Sequence, residues 1–265
     1  MNLGQIEEEQ LLSHLKSNPV EMLDVMRANG YPVARSGMCF GLVHAAINFI
    51  YHYSVNEYIK LLEQMRVNGR DYNYDGRATT LLQTLIKERG TEFKFDSLEE
   101  KCPQKLEFEA IHRVHAFLDS VLLFQYSRHS LSSKAYVKSR DYPSKAFEAN
   151  IDVMYPGAQD VSIANRILNG DDPNIGLYPK EKSFQTFSSE SLALFFEHKT
   201  RNEHVYTASF SIPMHAFAVI YRDSKWYLIN HGTISSMRTS VEISDVIVDL
   251  FGRSGSEFPV CVTEY

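Results

Sequence analysis

The sequence predicts an α+β fold in which helices precede a C-terminal antiparallel sheet. Its first half repeats apolar residues at helical spacing between polar and glycine breaks. Its last third instead carries short segments rich in β-branched and aromatic residues, separated by turns. A chain of 265 residues with 44% apolar residues can bury a substantial core. Since no clear boundary splits the chain, we predict a single domain over residues 1–265.

Helical patterns follow one another along the first half. One of them begins at Asn18 and Pro19 and ends at Gly30, which are typical start and stop residues. Another opens with a capping box formed by Ser54 and Glu57. The predicted helices cover residues 5–16, 18–30, 54–69, 76–90 and 104–126.

A long helical and loop-rich insertion is predicted at about 91–200. Residues 127–189 are rich in Ser, Asp, Asn, Pro and Gly, so we expect them to be mostly irregular, with a short helix at 161–168. The segment "SSESLALFFEHKT" then predicts a helix. Beyond it, "HVYTASFSI", "HAFAVIY", "KWYLIN" and "FPVCVTEY" predict strands, and "SVEISDVIVDLFG" predicts a helix before the last strand.

Charge and cysteine usage narrow the class of protein. The formal net charge is −6, which argues against a nucleic-acid partner, because phosphate binding needs a cationic face. The three cysteines are odd in number and far apart, so we expect a reducing compartment and no disulfide framework. The acidic N-terminus lacks the pattern of a secretory signal, and no apolar run approaches the ~18 residues of a membrane span. We therefore predict a soluble protein with no integral membrane segment, while export by a specialised secretion system would need no cleaved signal.

Two patterns with metal-ligand spacing are weighed and set aside. "DYNYDG" at 71–76 matches the start of a calcium loop, but Leu82 stands where a bidentate glutamate is needed. Glu109, His112 and His115 share one helix face, yet no second ligand motif accompanies them. A polar turn and a structural role for the histidines fit better. We predict no metal and no cofactor, and rank a metal-dependent enzyme built on these three residues last.

Cys39 stands at the head of an apolar helical stripe in "RSGMCFGLVHAAINFI". Two interpretations compete here, because free cysteine is a common core residue and a helix N-terminus also stabilises a thiolate. Ser36 or Gly37 is expected as the N-cap residue. Neither Cys102 nor Cys261 has such a context, so Cys39 is the candidate nucleophile.

A nucleophilic cysteine needs a base, and the base needs a group that orients it. "MHAFAVIYRDSKWYLINHG" predicts a β-hairpin that places His215 and Asn230 on one face. If the turn is centred between residues 222 and 223, His215 faces Asn230 directly across the strands. If it is centred one residue later, Asn230 faces Phe217 and lies diagonal to His215. Both registers bring the imidazole beside the amide.

Three features taken together resemble the papain-like cysteine proteases, most of all the YopT-type bacterial effector branch. They are the segment "GMCFGL" at 37–42, the later pair His215 and Ala216, and Asn230 before Gly232. This resemblance implies a papain-like fold, with a catalytic cysteine at a helix N-terminus packed on an antiparallel sheet. It further implies a Cys39–His215–Asn230 triad and a secreted virulence protein that acts on a host protein.

Three departures from the family pattern accompany this resemblance. The spacing from Cys39 to His215 exceeds the ~130–150 residues typical of papain-like enzymes. The third residue is Asn230, whereas the effector branch usually has aspartate. Val33 occupies the position of the papain glutamine that helps to form the oxyanion hole, which leaves Asn29 or Arg35 as candidates for the second donor.

The sequence-based hypothesis is a cysteine-dependent acyl-transfer enzyme, a thiol protease or isopeptidase acting on a protein substrate. Deamidation or transglutamination of a glutamine side chain by the same triad remains open as an alternative. A second alternative is a catalytically inactive interaction module on the same fold.

Overall fold

The computed structural model describes residues 3–17, 19–28, 33, 37–68, parts of 113–125, 177, 180–212, 215–251 and 257–265. The chain divides into two compact units. We call Val20–Gly176 the helical unit, and Met1–Pro19 together with Leu177–Tyr265 the sheet unit. The helices predicted at 76–90 and 161–168 and most of the proposed insertion lie outside the described residues.

The described part of the helical unit consists of α2, α3, α4 and helical positions within 113–125. α2 begins at Met22 and not at Pro19, because the Glu21 carbonyl accepts the first intrahelical hydrogen bonds. The predicted capping box of α4 is confirmed for one of its two hydrogen bonds, since the Glu57 N–H donates to Ser54 Oγ at 3.1 Å. The bounds are α2 Met22–Ala28, α3 Cys39–His52 and α4 Val55–Asn68.

α3 is buried along most of its length. Every residue from 41 to 50 is buried, which is typical of a helix enclosed on all sides and not of a surface helix. Phe49 packs near Tyr58 of α4 and edge-on to Phe117. The apolar stripe headed by Cys39 therefore marks a core helix.

The described part of the sheet unit combines a six-stranded antiparallel sheet with three helices. Its strand order is β1-β6-β2-β3-β4-β5, so the C-terminal strand is inserted between the first two strands. The bounds are α1 Leu3–Ser17, β1 Glu181–Phe187, α5 Ser189–Asn202, β2 Tyr206–Ile212, β3 His215–Arg222, β4 Lys225–Asn230, β5 Thr233–Met237, α6 Ser240–Phe251 and β6 Phe258–Glu264.

The α+β prediction is confirmed, with helices in the N-terminal part and an antiparallel sheet in the C-terminal part. All four predicted strands and the helices at α5 and α6 are present. β1 and β5 were not predicted. β1 replaces part of the irregular segment expected before residue 189, and it is an edge strand with Phe184 exposed.

An apolar core lies on one face of the sheet. Phe217 and Val219 of β3 join Trp226 and Leu228 of β4 in a buried cluster with residues of α5 and α6. Because successive strand residues point to opposite faces, Tyr227 lies on the other face, where its hydroxyl donates to Glu8 of α1 at 3.0 Å. His215 and Asn230 continue the rows of Phe217 and Leu228, so both side chains lie at the edge of the core face.

No helix in the described ranges combines the length and the apolarity that crossing a membrane requires.

Candidate active site

Cys39 is the first residue of α3 in the helical unit, and its side chain is partly exposed. The expected cap at Ser36 or Gly37 is wrong, because the N-cap residue is Met38, which provides no side-chain hydrogen bond. Gly37 instead bends the chain with a φ of 91°, and a Cβ built on it would lie 3.5 Å from Cys39 Sγ. The sulfur thus lies at the positive end of a helix beside a glycine backbone.

A glutamine from a distant segment binds the first turn of α3. The Gly41 N–H donates to Gln125 Oε1 at 2.8 Å, which satisfies one of the donors that a helix N-terminus leaves without an intrahelical partner. The contact is close, since a Cβ at Gly41 would lie 2.2 Å from the Val121 carbonyl oxygen. Glycine at this position lets α3 approach the segment that carries Gln125.

Further along α3, His44 and Asn48 are buried polar residues bonded to their own helix. His44 Nδ1 lies 2.8 Å from the Phe40 carbonyl oxygen, and Asn48 Nδ2 donates to the His44 carbonyl oxygen at 2.9 Å. Burial lowers the pKa of His44 to about 4, and the Phe40 carbonyl opposes that shift. His44 is therefore neutral at physiological pH, packed between aromatic rings.

In the sheet unit, His215 and Asn230 form a direct hydrogen bond. His215 Nε2 lies 2.9 Å from Asn230 Oδ1. The β3–β4 register pairs Ala218 with Ile229 and Arg222 with Lys225, which is the later of the two predicted turn centres. Asn230 is thus the diagonal neighbour of His215, and the predicted pair is brought together.

The hydrogen bond fixes the tautomer of the imidazole. An amide oxygen only accepts hydrogen bonds, so the Nε2–H of His215 donates to Asn230 Oδ1. In a neutral ring the other nitrogen, Nδ1, then keeps its lone pair. Asn230 is in turn anchored by Thr233, whose Oγ1 donates to the Asn230 carbonyl oxygen at 2.6 Å. The result is an oriented imidazole with one basic nitrogen.

Two further rings lie against His215. Phe251 at the end of α6 stacks on it with ring centroids 4.9 Å apart, and the same phenyl ring stacks on Phe217. The His231 ring lies 4.6 Å from the His215 ring, centroid to centroid. Burial lowers the pKa of His215, the charge of His231 lowers it further, and the hydrogen bond to Asn230 raises it.

The predicted residues are thus distributed over both units. His215 and Asn230 are hydrogen-bonded in the sheet unit, and Cys39 begins α3 in the helical unit. The proposed oxyanion donors Asn29 and Arg35 lie outside the described residues, as do the rejected calcium and histidine patterns. Sequence reasoning missed three residues near these groups, namely Gln125, His231 and Phe251. A sequence signal existed only for His231, which directly follows Asn230.

No protein family, curated protein or solved structure gives a significant match to this chain.

Proposed function

We propose that the protein is a thiol-dependent acyl-transfer enzyme, a protease or isopeptidase acting on a protein, with Cys39 as nucleophile, His215 as base and Asn230 as the residue that orients the base. The observation that carries the proposal is the 2.9 Å hydrogen bond from His215 Nε2 to Asn230 Oδ1. It leaves Nδ1 to take a proton, and that is what a general base beside a nucleophile must do.

The position of Cys39 supports the same proposal. A thiolate at a helix N-terminus is stabilised by the helix dipole and by backbone N–H groups. Met38 adds no side-chain acceptor that would occupy those groups. Cys261, by contrast, lies within strand β6, where no helix end is available. The two thiols therefore offer a matched comparison within one chain.

The reaction that follows begins with transfer of the Cys39 thiol proton to His215 Nδ1. The sulfur attacks the carbonyl carbon of the scissile amide, and the carbonyl oxygen becomes an oxyanion. Collapse of this intermediate breaks the C–N bond, and His215 gives its proton to the leaving amine. Water then hydrolyses the thioester with His215 as base again, which releases the acid and restores the thiol.

The oxyanion must be stabilised by hydrogen-bond donors of the enzyme. The backbone N–H of Cys39 is one, at the N-terminus of α3. For the second we propose Gln125, because its Oε1 is bound to the Gly41 N–H at the first turn of that helix and its NH₂ group can only donate. Removal of an oxyanion donor typically costs ~10²–10³ in rate.

The test is labelling with a thiol-reactive iodoacetamide probe, followed by mass spectrometry of the labelled cysteine. We expect fast labelling of wild type, loss of that labelling in Cys39→Ala, and unchanged labelling in the matched control Cys261→Ala. His215→Gln should slow the labelling of Cys39, because the base that accepts the thiol proton is gone. Equal labelling of wild type, Cys39→Ala and His215→Gln would reject the proposal in favour of an inactive interaction module.

Incubation with a defined peptide mixture separates the two enzymatic alternatives. New peptide termini indicate hydrolysis, whereas conversion of glutamine to glutamate without cleavage indicates a deamidase. Both products require Cys39, so each is compared with Cys39→Ala.

A further inference from the structure

The turn that connects β4 and β5 consists of two residues, His231 and Gly232, since Asn230 pairs with Thr233. His231 has a φ of 52°. That left-handed region is uncommon for residues other than glycine, although histidine, asparagine and aspartate enter it more readily than others. Such strained conformations concentrate at functional sites. The strained residue here directly follows the partner of His215.

His231 places its ring next to the ring of His215. The centroids are 4.6 Å apart, with an angle of 42° between the planes. Two imidazolium rings at this separation repel one another, so protonation of one disfavours protonation of the other.

We propose that His231 is a positioning residue for His215: its ring holds the neighbouring imidazole in place, and its charge disfavours the doubly protonated pair, so that His215 remains an unprotonated base. The significance for catalysis rests on the proposed function, whereas the coupling between the two histidines does not.

Among the described residues of the sheet unit, His231 is the titratable side chain whose ring contacts that of His215. The adjacent strands bring Ile212 and Asn230 to its side, and α6 brings Phe251. The charged residue on α6 nearest to Phe251 in sequence is Asp249, which is exposed. Among the described residues, His231 and Asn230 are the groups that shift the pKa of His215 besides its own burial, and they act in opposite directions.

The experiment is an NMR titration of the His215 ring in the full chain, in wild type and in two variants of His231. Asparagine tolerates a positive φ, so His231→Asn keeps the turn and removes the titratable ring, and the midpoint for His215 should move to higher pH. His231→Lys keeps a cation at all relevant pH values, so the midpoint should stay at or below that of wild type. His204→Asn is the matched control. His204 is exposed and precedes the start of β2, and that end of the strand is remote from His215.

A higher midpoint in His231→Asn together with no rise in His231→Lys would establish coupling through charge. If both variants moved the midpoint in the same direction, the turn would act only through structure, and an unchanged midpoint in His231→Asn would reject the coupling altogether. The iodoacetamide assay on His215→Gln keeps the two proposals separate. If Cys39 labelling is independent of His215 while the NMR midpoints still diverge, the proposed function fails and the coupling stands.

Discussion

Replacing Gly41 with alanine sets two effects of opposite sign against each other. Alanine raises helix propensity by ~1 kcal/mol over glycine in a helix interior. Its Cβ, however, would lie 2.2 Å from the Val121 carbonyl oxygen and 2.8 Å from Gln125 Cβ, and Cβ contacts below 3.0 Å are essentially never seen. The backbone of α3 and the Val121 segment must therefore separate by about 0.8 Å to reach that limit.

The clash is expected to outweigh the propensity. Overpacking typically costs ~1–3 kcal/mol, and separation of the segments also weakens the hydrogen bond from Gly41 to Gln125, worth ~1 kcal/mol. Gly41→Ala should thus lower the free energy of unfolding by about 1–3 kcal/mol after the propensity gain is subtracted. Urea denaturation measures the change. Because the shortest contact is to a backbone oxygen, Gln125→Ala in the same chain should not rescue it.

The control is Asn56→Ala, an exposed position on α4 in the same unit. There alanine brings the propensity gain without a clash, so stability should stay within ~0.5 kcal/mol of wild type or rise. A Gly41→Ala protein as stable as wild type would refute the close approach of α3 to residues 121–125, and with it the role of Gln125 at the first turn.

Three further predictions concern the other parts of the chain. Asn230→Ala removes the oxygen that accepts the hydrogen bond from His215, so it should slow alkylation of Cys39 about tenfold. Asn230→Asp keeps an oxygen acceptor and should retain most of the rate. Because burial lowers the pKa of His44 to about 4 from 6.5, the unfolded chain takes up the proton first as pH falls. Stability should then decrease by about 3 kcal/mol between pH 6.5 and 4, and urea titrations of His44→Leu should lack that decrease. Glu264→Gln breaks a partly buried ion pair with Lys199 at 2.7 Å and should cost ~2 kcal/mol, which the double variant with Lys199→Met should partly restore.

The hairpin shows how far a sequence pattern can position a site. Alternation of apolar residues fixes which face His215 and Asn230 share, and a shift of the turn centre by one residue leaves those faces unchanged. The exact register depends on backbone angles that the pattern does not contain. Asp223 and Ser224 have φ values of 52° and 60°, the signature of a two-residue turn of type I′, and this selects the later centre. The pairing of the two side chains was therefore predictable, and their diagonal geometry was not.

The missed elements lack the local signals on which prediction depends. β1 is an edge strand in which only Phe187 is buried. Its sequence therefore lacks the alternation of apolar and polar residues that predicts a strand. β5 is short, and its sequence "TISSM" is rich in serine, a residue common in turns. Gln125 reaches the first turn of α3 from 84 residues away. That contact arises from the packing of the helical unit, which the sequence does not show. An N-cap residue, by contrast, lies within a few residues of the helix start and can be predicted from the local sequence.

The turn after Asn230 departs from a general rule of turn chemistry. In the sequence "NHG", that rule assigns the positive φ to the glycine. Among the described residues, however, Gly37 is the glycine with a positive φ, and in this turn His231 takes it instead. A sequence that offers glycine for the strained position but strains the adjacent histidine breaks a local rule, and such breaks are expected at functional sites. Because that positive φ coincides with a ring 4.6 Å from His215, it agrees with the positioning role that we propose for His231.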